Sequence, residues 1–215
     1  MVVNQDLPEL VGIEAYLNSG RQLKGLAVNK DQKQAYELLA DCIDGIVMSE
    51  VFFCEERGVA SLDAYTSIWD ELYVNSCRRL SHPDPNDLWK NTLGCLDRSR
   101  HLFNRIHNVT IYKEHDNSYL ILATFIDSYH EVSVRLETGT DGVVKQASAE
   151  FIRTPYKICK ENICHMEKLV GLNIASMSKK EMVSIVGGSE GCLRIVDIIS
   201  NCSQALKVVI QGATG

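Results

Sequence analysis

Residues 119–137 decide the fold, and they read YLILATFIDSYHEVSVRLE. Two runs rich in β-branched and aromatic residues stand on either side of a short polar segment, Asp127-Ser128. Such runs are typical of β-strands, and polar residues between them are typical of a turn. Two similar runs lie beyond turn signals at 114–118 and 138–142. The predicted strands form an antiparallel meander and cover residues 102–112, 119–125, 131–137 and 143–152.

Helical periodicity returns on both sides of this predicted sheet. Downstream of Pro155, apolar residues recur every three or four positions, which predicts helices over residues 161–170, 178–186 and 191–206. Upstream, residues 31–56 show the same period, and Ser61 is suited to cap a second helix. We expect these two helices to pack as an antiparallel hairpin. Because helices and strands fall in separate blocks, the predicted fold class is α+β, with the C-terminal helices packed on one face of the sheet.

A proline-rich segment divides the chain. Residues 81–87, SHPDPND, hold two of its four prolines and cannot continue a helix. We therefore predict a helical N-terminal subdomain over residues 1–85 and an α+β domain over residues 86–215. A short helix is expected over residues 88–96.

Composition excludes several classes of protein. The 215 residues carry 28 acidic and 22 basic side chains, a formal net charge of -6, so neither nucleic acid nor an anionic membrane is an expected partner. No run approaches the ~20 apolar residues that span a bilayer. The first residues also lack the basic start and apolar run of a secretory signal. We expect a cytoplasmic protein, in which the eight cysteines are mostly reduced thiols.

Cys192 is the most chemically suggestive residue of the chain. It follows the glycine-rich segment GGSEG and begins a predicted helix, whose free amide groups favour a negative charge. A thiol there is a candidate catalytic nucleophile. Gly187, Gly188 and Gly191 are candidate residues for binding an anion. The alternative, which stays open, is that Cys192 is a small buried residue at the start of a helix.

A second group of thiols lies just after the predicted sheet. Cys159, Cys164 and His165 are of metal-ligand types, but four residues separate the two cysteines, whereas about two is commonest in tight zinc sites. Together with Cys192 they could supply three sulfur ligands and an imidazole. The favoured alternative places Cys164 on the inner face of its helix and His165 in solvent.

His130 and Asp127 bracket the turn at the centre of the fold-deciding stretch. A histidine binds metal or moves protons near neutral pH, and a neighbouring carboxylate would orient its ring. Loops at the ends of strands also commonly hold functional side chains. The alternative is that both are ordinary polar turn residues.

The second half of the chain carries three ordered motifs, which are RTPYKIC at 153–159, LVGLNI at 169–174 and GGSEGC at 187–192. They resemble a family of bacterial proteins known only as a domain of unknown function. The family pattern has a proline and a cysteine after a sheet, a Leu-Val-Gly-Leu step, and the motif Gly-Gly-x-x-Gly-Cys-Thr-His-Leu. It also has a histidine at the start of a strand, which His130 matches. The resemblance covers roughly the last half of the chain.

The resemblance implies that His130, Cys159 and Cys192 form one site. Two thiolates and an imidazole suit zinc or iron, which are therefore the expected cofactors. A fainter resemblance is to the scaffold proteins of iron–sulfur cluster assembly, and it involves Asp127 together with the same two cysteines.

This chain departs from the family pattern directly after Cys192. Leu193-Arg194 stands where the pattern has Thr-His, so a positive charge replaces an expected histidine ligand. Three consequences are open: His165 or Asp127 completes the metal site, the site keeps an open position, or metal binding has been lost.

Three functions follow as hypotheses. The first is a metal-binding or iron–sulfur-related module whose ligands are His130, Cys159 and Cys192. The second is a thiol enzyme or a small-anion-binding protein, with Cys192 activated and a modest basic patch holding the anion, although a solvated surface is the favoured role of that patch. The third is a non-catalytic interaction module whose acidic N-terminal helices dock a protein partner or a second copy. The basic patch comprises Arg153, Lys157, Lys160 and Lys168.

Overall fold

The computed structural model describes residues 11–12, 32–86, 103–115 and 117–212. The chain forms two compact units, Met1–Val59 and Ala60–Gly215. The subdomain division expected between residues 85 and 86 stays a prediction. The helix predicted over residues 88–96 lies outside the described residues.

The first unit contains helix α1 (Gln32–Ser49), followed by a short 3-10 turn, Glu50–Phe52. This helix confirms the one predicted over residues 31–56, although its α-helical part ends earlier. Val51 and Cys54 are buried in the turns that follow. Apolar residues at helical spacing therefore continue past the point where the α-helix ends.

The second unit begins with two helices, α2 (Leu62–Leu72) and α3 (Arg78–Ser81). Ser61 caps the first of them, because its hydroxyl accepts the main-chain N–H of Ala64 at 3.2 Å. This confirms the predicted cap and satisfies one of the amide groups that a helix leaves free at its start. The predicted pairing of α1 with α2 as a hairpin stays a prediction.

The four strands form one antiparallel sheet in the order β1-β2-β3-β4. Each strand pairs with the next along the chain, so the predicted meander is confirmed. The strands are β1 (Arg105–Lys113), β2 (Ser118–Asp127), β3 (Glu131–Gly139) and β4 (Val144–Arg153).

One face of the sheet carries the core. Ile121 and Phe125 of β2 and Val132 and Leu136 of β3 are fully buried, whereas Leu122 on the opposite face is 39 % exposed. Burying such side chains contributes about 1.5–3 kcal/mol each and is the main force that holds the helices on this face. The covering elements are a 3-10 segment (Lys157–Leu169), α4 (Lys179–Val186) and α5 (Leu193–Gly212). The α+β class, with C-terminal helices on one face, is confirmed.

The segment after β4 differs from the predicted α-helix over residues 161–170. Lys157–Leu169 is a 3-10 helix, which has three residues per turn instead of 3.6. The tighter period aligns Asn162 with His165, and both are buried. The prediction that Cys164 faces inward and His165 faces solvent was therefore wrong, since Cys164 is exposed.

Candidate functional site

The glycine-rich loop joins α4 to α5 through a turn that only glycine fits. A Cβ atom on Gly191 would lie 2.4 Å from the carbonyl oxygens of Val186 and Gly187, a distance that real Cβ atoms do not adopt. Gly188 has φ +69°, in the left-handed region that favours glycine. The close approach lets the N–H of Cys192 donate to the carbonyl of Val186 at 2.9 Å. The loop therefore places Cys192 at the start of α5.

Cys192 lies in the cap of α5 and is 8 % exposed. Burial raises the pKa of its thiol to about 11, although its sulfur accepts hydrogen bonds from the main-chain N–H groups of Ile195 and Arg194. The helix start stabilises the thiolate, as the sequence predicts, but loss of hydration is the larger effect. At neutral pH, Cys192 is a protonated thiol.

Cys159 and Cys77 lie close enough to Cys192 for the three thiols to interact electrostatically. Burial raises the pKa of Cys159 to about 12, and the neighbouring sulfurs of Cys192 and Cys77 act in the same direction. The structure thus brings together two of the three residues expected to form one site. It adds Cys77, which no sequence motif indicates. Cys77 reaches this group because the N–H of the next residue, Arg78, donates a hydrogen bond to the carbonyl of Gly191 at 2.9 Å.

Asp127 and His130 form a buried pair at the turn between β2 and β3. The main-chain N–H groups of Tyr129 and His130 donate to Oδ1 of Asp127 at 2.7 Å and 2.5 Å. Nδ1 of His130 lies 3.0 Å from the same oxygen. Since a carboxylate only accepts, Nδ1 carries the proton, and Nε2 carries the lone pair when the ring is neutral. Asp127 thus fixes both the turn and the ring of His130.

The charges of this pair follow from its surroundings. Burial lowers the pKa of His130 below its ordinary value of 6.5, and the hydrogen bond to Asp127 opposes the shift without reversing it. Burial alone would raise the pKa of Asp127, but the hydrogen bond from His130 and the charge of Arg194 outweigh it and lower that pKa. The pair therefore consists of a carboxylate and a neutral imidazole near pH 7.

Arg194 lies beside this pair. Its Nε is 3.9 Å from Oδ2 of Asp127, and its Nη1 is 3.5 Å from Oδ2 of Asp197. Asp197 also pairs with Arg105 at 3.3 Å and with Lys179 at 2.8 Å. Arg194, which replaces a histidine of the family pattern, is thus a cation held between the buried carboxylate of Asp127 and the partly buried carboxylate of Asp197.

The predicted basic patch divides in the structure. Arg153 donates to the carbonyl oxygens of Ser128 at 2.7 Å and Asp127 at 2.8 Å, so its guanidinium stabilises the turn between β2 and β3. Lys168 belongs instead to the 3-10 segment and lines a surface cavity.

This cavity lies beside the glycine-rich loop and has a volume of about 360 Å³. His165 is held there because its Nε2 donates to the carbonyl of Glu190 at 2.5 Å. The N–H groups of Gly188 and Ser189 are the first of a 3-10 turn, so the turn itself supplies no acceptor for them. The lining residues are His165, Lys168, Val183, Ser184, Ile185, Gly187, Gly188, Ser189 and Glu190.

The donor atoms do not fit a resident zinc or iron. Among residues 11–12, 32–86, 103–115 and 117–212, no three His, Cys, Asp or Glu side chains are grouped as metal ligands would be. Burial favours the protonated thiols of Cys159 and Cys192, so a metal would have to displace both protons on binding.

These features define an α+β domain in which a glycine-rich loop joins two helices and a buried Asp–His pair closes a strand turn. Residues 103–207 match the model of a family described as Protein of unknown function (DUF2889), which supports the resemblance of the C-terminal half of the chain to a domain of unknown function. No curated protein and no solved structure matches the chain. The fainter resemblance to iron–sulfur scaffold proteins has no support.

The sequence predicts no membrane-spanning segment. In the part of the chain that the structure describes, each helix is too short or too polar to cross a bilayer.

Proposed function

We propose that the C-terminal domain binds a small anion, carrying a carboxylate or phosphate group, in the cavity beside the glycine-rich loop. The observation that supports it is the joint placement of Lys168, the N–H groups of Gly188 and Ser189, and the cavity of about 360 Å³. Main-chain N–H groups and a lysine ammonium both donate to oxygen anions. The cavity is large enough for a small organic acid or a phosphate.

Charge around the cavity also favours an anion. Glu190 is the acidic side chain at its rim, and its carboxylate is already paired with Arg78 and with His82, at 2.8 Å in both cases. The hydrogen bond from His82 lowers the pKa of Glu190, so this carboxylate stays ionised and remains paired with Arg78 and His82. Lys168 is therefore left as the cation that faces an incoming ligand.

Binding is better supported than thiol chemistry. Cys192 lies one residue beyond the loop, but burial holds its pKa at about 11, which disfavours the thiolate that a nucleophile requires. Gly188 and Gly191 have a conformational reason to be present, and the N–H groups of Gly188 and Ser189 supply the binding chemistry. Zinc or iron binding stays an untested expectation, and the described donors do not favour it.

Isothermal titration calorimetry of the full chain with inorganic phosphate, and separately with acetate, tests the proposal. We expect saturable binding of at least one anion. Lys168→Gln should weaken it about tenfold, because a hydrogen bond to a charged group contributes about 1.5–3 kcal/mol. The matched control is Lys160→Gln, which removes a lysine from the same 3-10 segment but outside the cavity lining. Absence of saturable binding, or an equal loss in both variants, would contradict the proposal.

A further inference from the structure

Strand β1 lies at an edge of the sheet, and its outer side has no partner strand among the described residues. The N–H of Glu114 donates to the carbonyl of Ser118 at 2.9 Å, which identifies the hydrogen-bonded positions of the β1–β2 ladder. Because these positions alternate in an antiparallel pair, residues 106, 108, 110 and 112 point their main-chain groups at β2. The main-chain N–H and C=O groups of Val109 and Ile111 point away from β2.

This edge lacks the features that usually prevent pairing. Its sequence, RIHNVTIYK, contains no proline, and its pairing with β2 is continuous, whereas the register shifts of the sheet occur between β3 and β4. Charged residues stand only at its two ends, Arg105 and Lys113. Natural edge strands are normally protected by bulges, prolines or central charges. The other edge, β4, packs against the 3-10 segment Lys157–Leu169.

We infer that β1 pairs antiparallel with β1 of a second copy of this chain, about a two-fold axis at Val109. A two-fold interface brings the same surface of both copies together, so the strand must complement itself. This register places Ile106 opposite Tyr112 of the second copy, and Asn108 opposite Thr110 of the second copy. Both facing pairs are chemically matched.

The apolar pair would cover part of two exposed side chains. Ile106 is 53 % exposed and Tyr112 is 51 % exposed, and both lie on the sheet face opposite the helices. In the proposed register they occupy non-hydrogen-bonded positions, where facing Cα atoms are only about 4.5 Å apart and side chains make their closest cross-strand contact. Each copy contributes both residues, so two such pairs form symmetrically, one on each side of Val109.

A second copy supplies matching residues on both sides of Val109, since the symmetric register brings Ile106 and Tyr112 together twice. Nine residues span about 30 Å, and pairing over that length would join two four-stranded sheets into one continuous sheet. The like charges at the strand ends, Arg105 and Lys113, face each other in this register, but Arg105 is already paired with Asp197 at 3.3 Å. The charge that opposes association is thus partly compensated within each copy.

Analytical ultracentrifugation of the full chain over a range of concentrations, with two substitutions and their combination, tests the register. Ile106→Glu and Tyr112→Lys should each weaken dimerisation by about tenfold or more, since each removes both apolar pairs. The double variant should recover dimerisation, because each Glu would then face a Lys of the second copy. Residues 106 and 112 are too far apart in one strand to make this pair within a copy.

Leu122→Glu is the matched control, since Leu122 is an exposed apolar residue on the same face but on the inner strand β2. Edge pairing predicts that this variant dimerises as the wild type does. A monomeric wild type, a double variant no better than the single ones, or loss of dimer in Leu122→Glu alone would each overturn the inference. Hydrogen exchange supplies a second readout: the amide of Val109 should be protected at high concentration and exposed on dilution.

Discussion

The guanidinium of Arg194 lies 3.9 Å from the carboxylate of Asp127, which in turn holds the ring of His130 at 3.0 Å. A residue at the start of α5 thus shares a buried carboxylate with a turn of the sheet. The contact joins the helical layer to the sheet through charge, in addition to the apolar core.

Asp127→Asn should destabilise the second unit by about 2 kcal/mol, because the buried carboxylate accepts several hydrogen bonds and bonds to charged groups contribute about 1.5–3 kcal/mol. Urea unfolding near pH 7 measures the change. Asp141→Asn is the matched control, since Asp141 also accepts a turn N–H, that of Val143 at 3.0 Å, but is exposed. An equal loss in both variants would show that the burial of Asp127 is unimportant.

Stability should fall as the solution is acidified below about pH 6.5. The pKa of His130 is lower in the folded protein than its ordinary value of 6.5, so the unfolded chain binds a proton more readily below that pH. A single group of this kind changes the free energy of unfolding by up to about 1.4 kcal/mol per pH unit. His130→Gln should flatten the profile between about pH 6.5 and pH 5 in urea titrations.

At lower pH a second loss is expected from the carboxylates. The pKa values of Asp127 and Asp197 are lowered in the folded protein, so their contribution is present above the ordinary value of 3.8 and disappears as the pH falls through the folded values. The part of this loss that comes from Asp197 should remain in His130→Gln, because Lys179 and Arg194 lower the pKa of Asp197, whereas the part from Asp127 should shrink with the loss of the hydrogen bond from His130. A profile in the variant identical to that of the wild type would contradict the assignment to His130.

Gly191→Ala should destabilise the second unit by about 2–3 kcal/mol. The added Cβ would lie 2.4 Å from two carbonyl oxygens, and the backbone must shift to relieve this overlap. Gly212→Ala is the control, because a Cβ there meets nothing within 4 Å. Alanine at that helical position should be neutral or stabilising by up to about 1 kcal/mol. Thermal unfolding followed by circular dichroism compares the two.

Alkylation should distinguish the thiols. With a pKa of about 11, Cys192 has a thiolate fraction near pH 7.5 that is roughly 300-fold smaller than that of an ordinary cysteine of pKa about 8.5. Mass spectrometry after brief treatment with iodoacetamide should find Cys42 and Cys164, which are exposed, modified long before Cys192. If Cys192 reacted first, the activated-thiol hypothesis would be favoured instead.

Local sequence was enough to predict the features that depend on neighbouring residues. The strands of the meander were predicted because side chains on a half-buried strand alternate at a period of two. The pair of Asp127 and His130 was selected because both flank one tight turn. The cap at Ser61 was predicted for the same reason, since its partner Ala64 is three residues away.

Other features depended on segments that are distant in the chain. The 3-10 form of Lys157–Leu169 exchanged the expected positions of Cys164 and His165, since an apolar pattern alone does not distinguish three residues per turn from 3.6. The proximity of Cys77 to Cys159 and Cys192 required α3 to meet the glycine-rich loop.

Periodicity, turns and caps act over a few residues, so local sequence is enough to establish the α+β architecture, the order of its elements and the places where chemistry is concentrated. The protonation and the neighbours of the side chains at those places depend on tertiary contacts. The tertiary structure buried Cys192 and thereby raised its pKa, and it brought Arg194 to Asp127. Burial and charge proximity are properties of the assembled layers, and they outweighed the local effect of the helix start on the thiol.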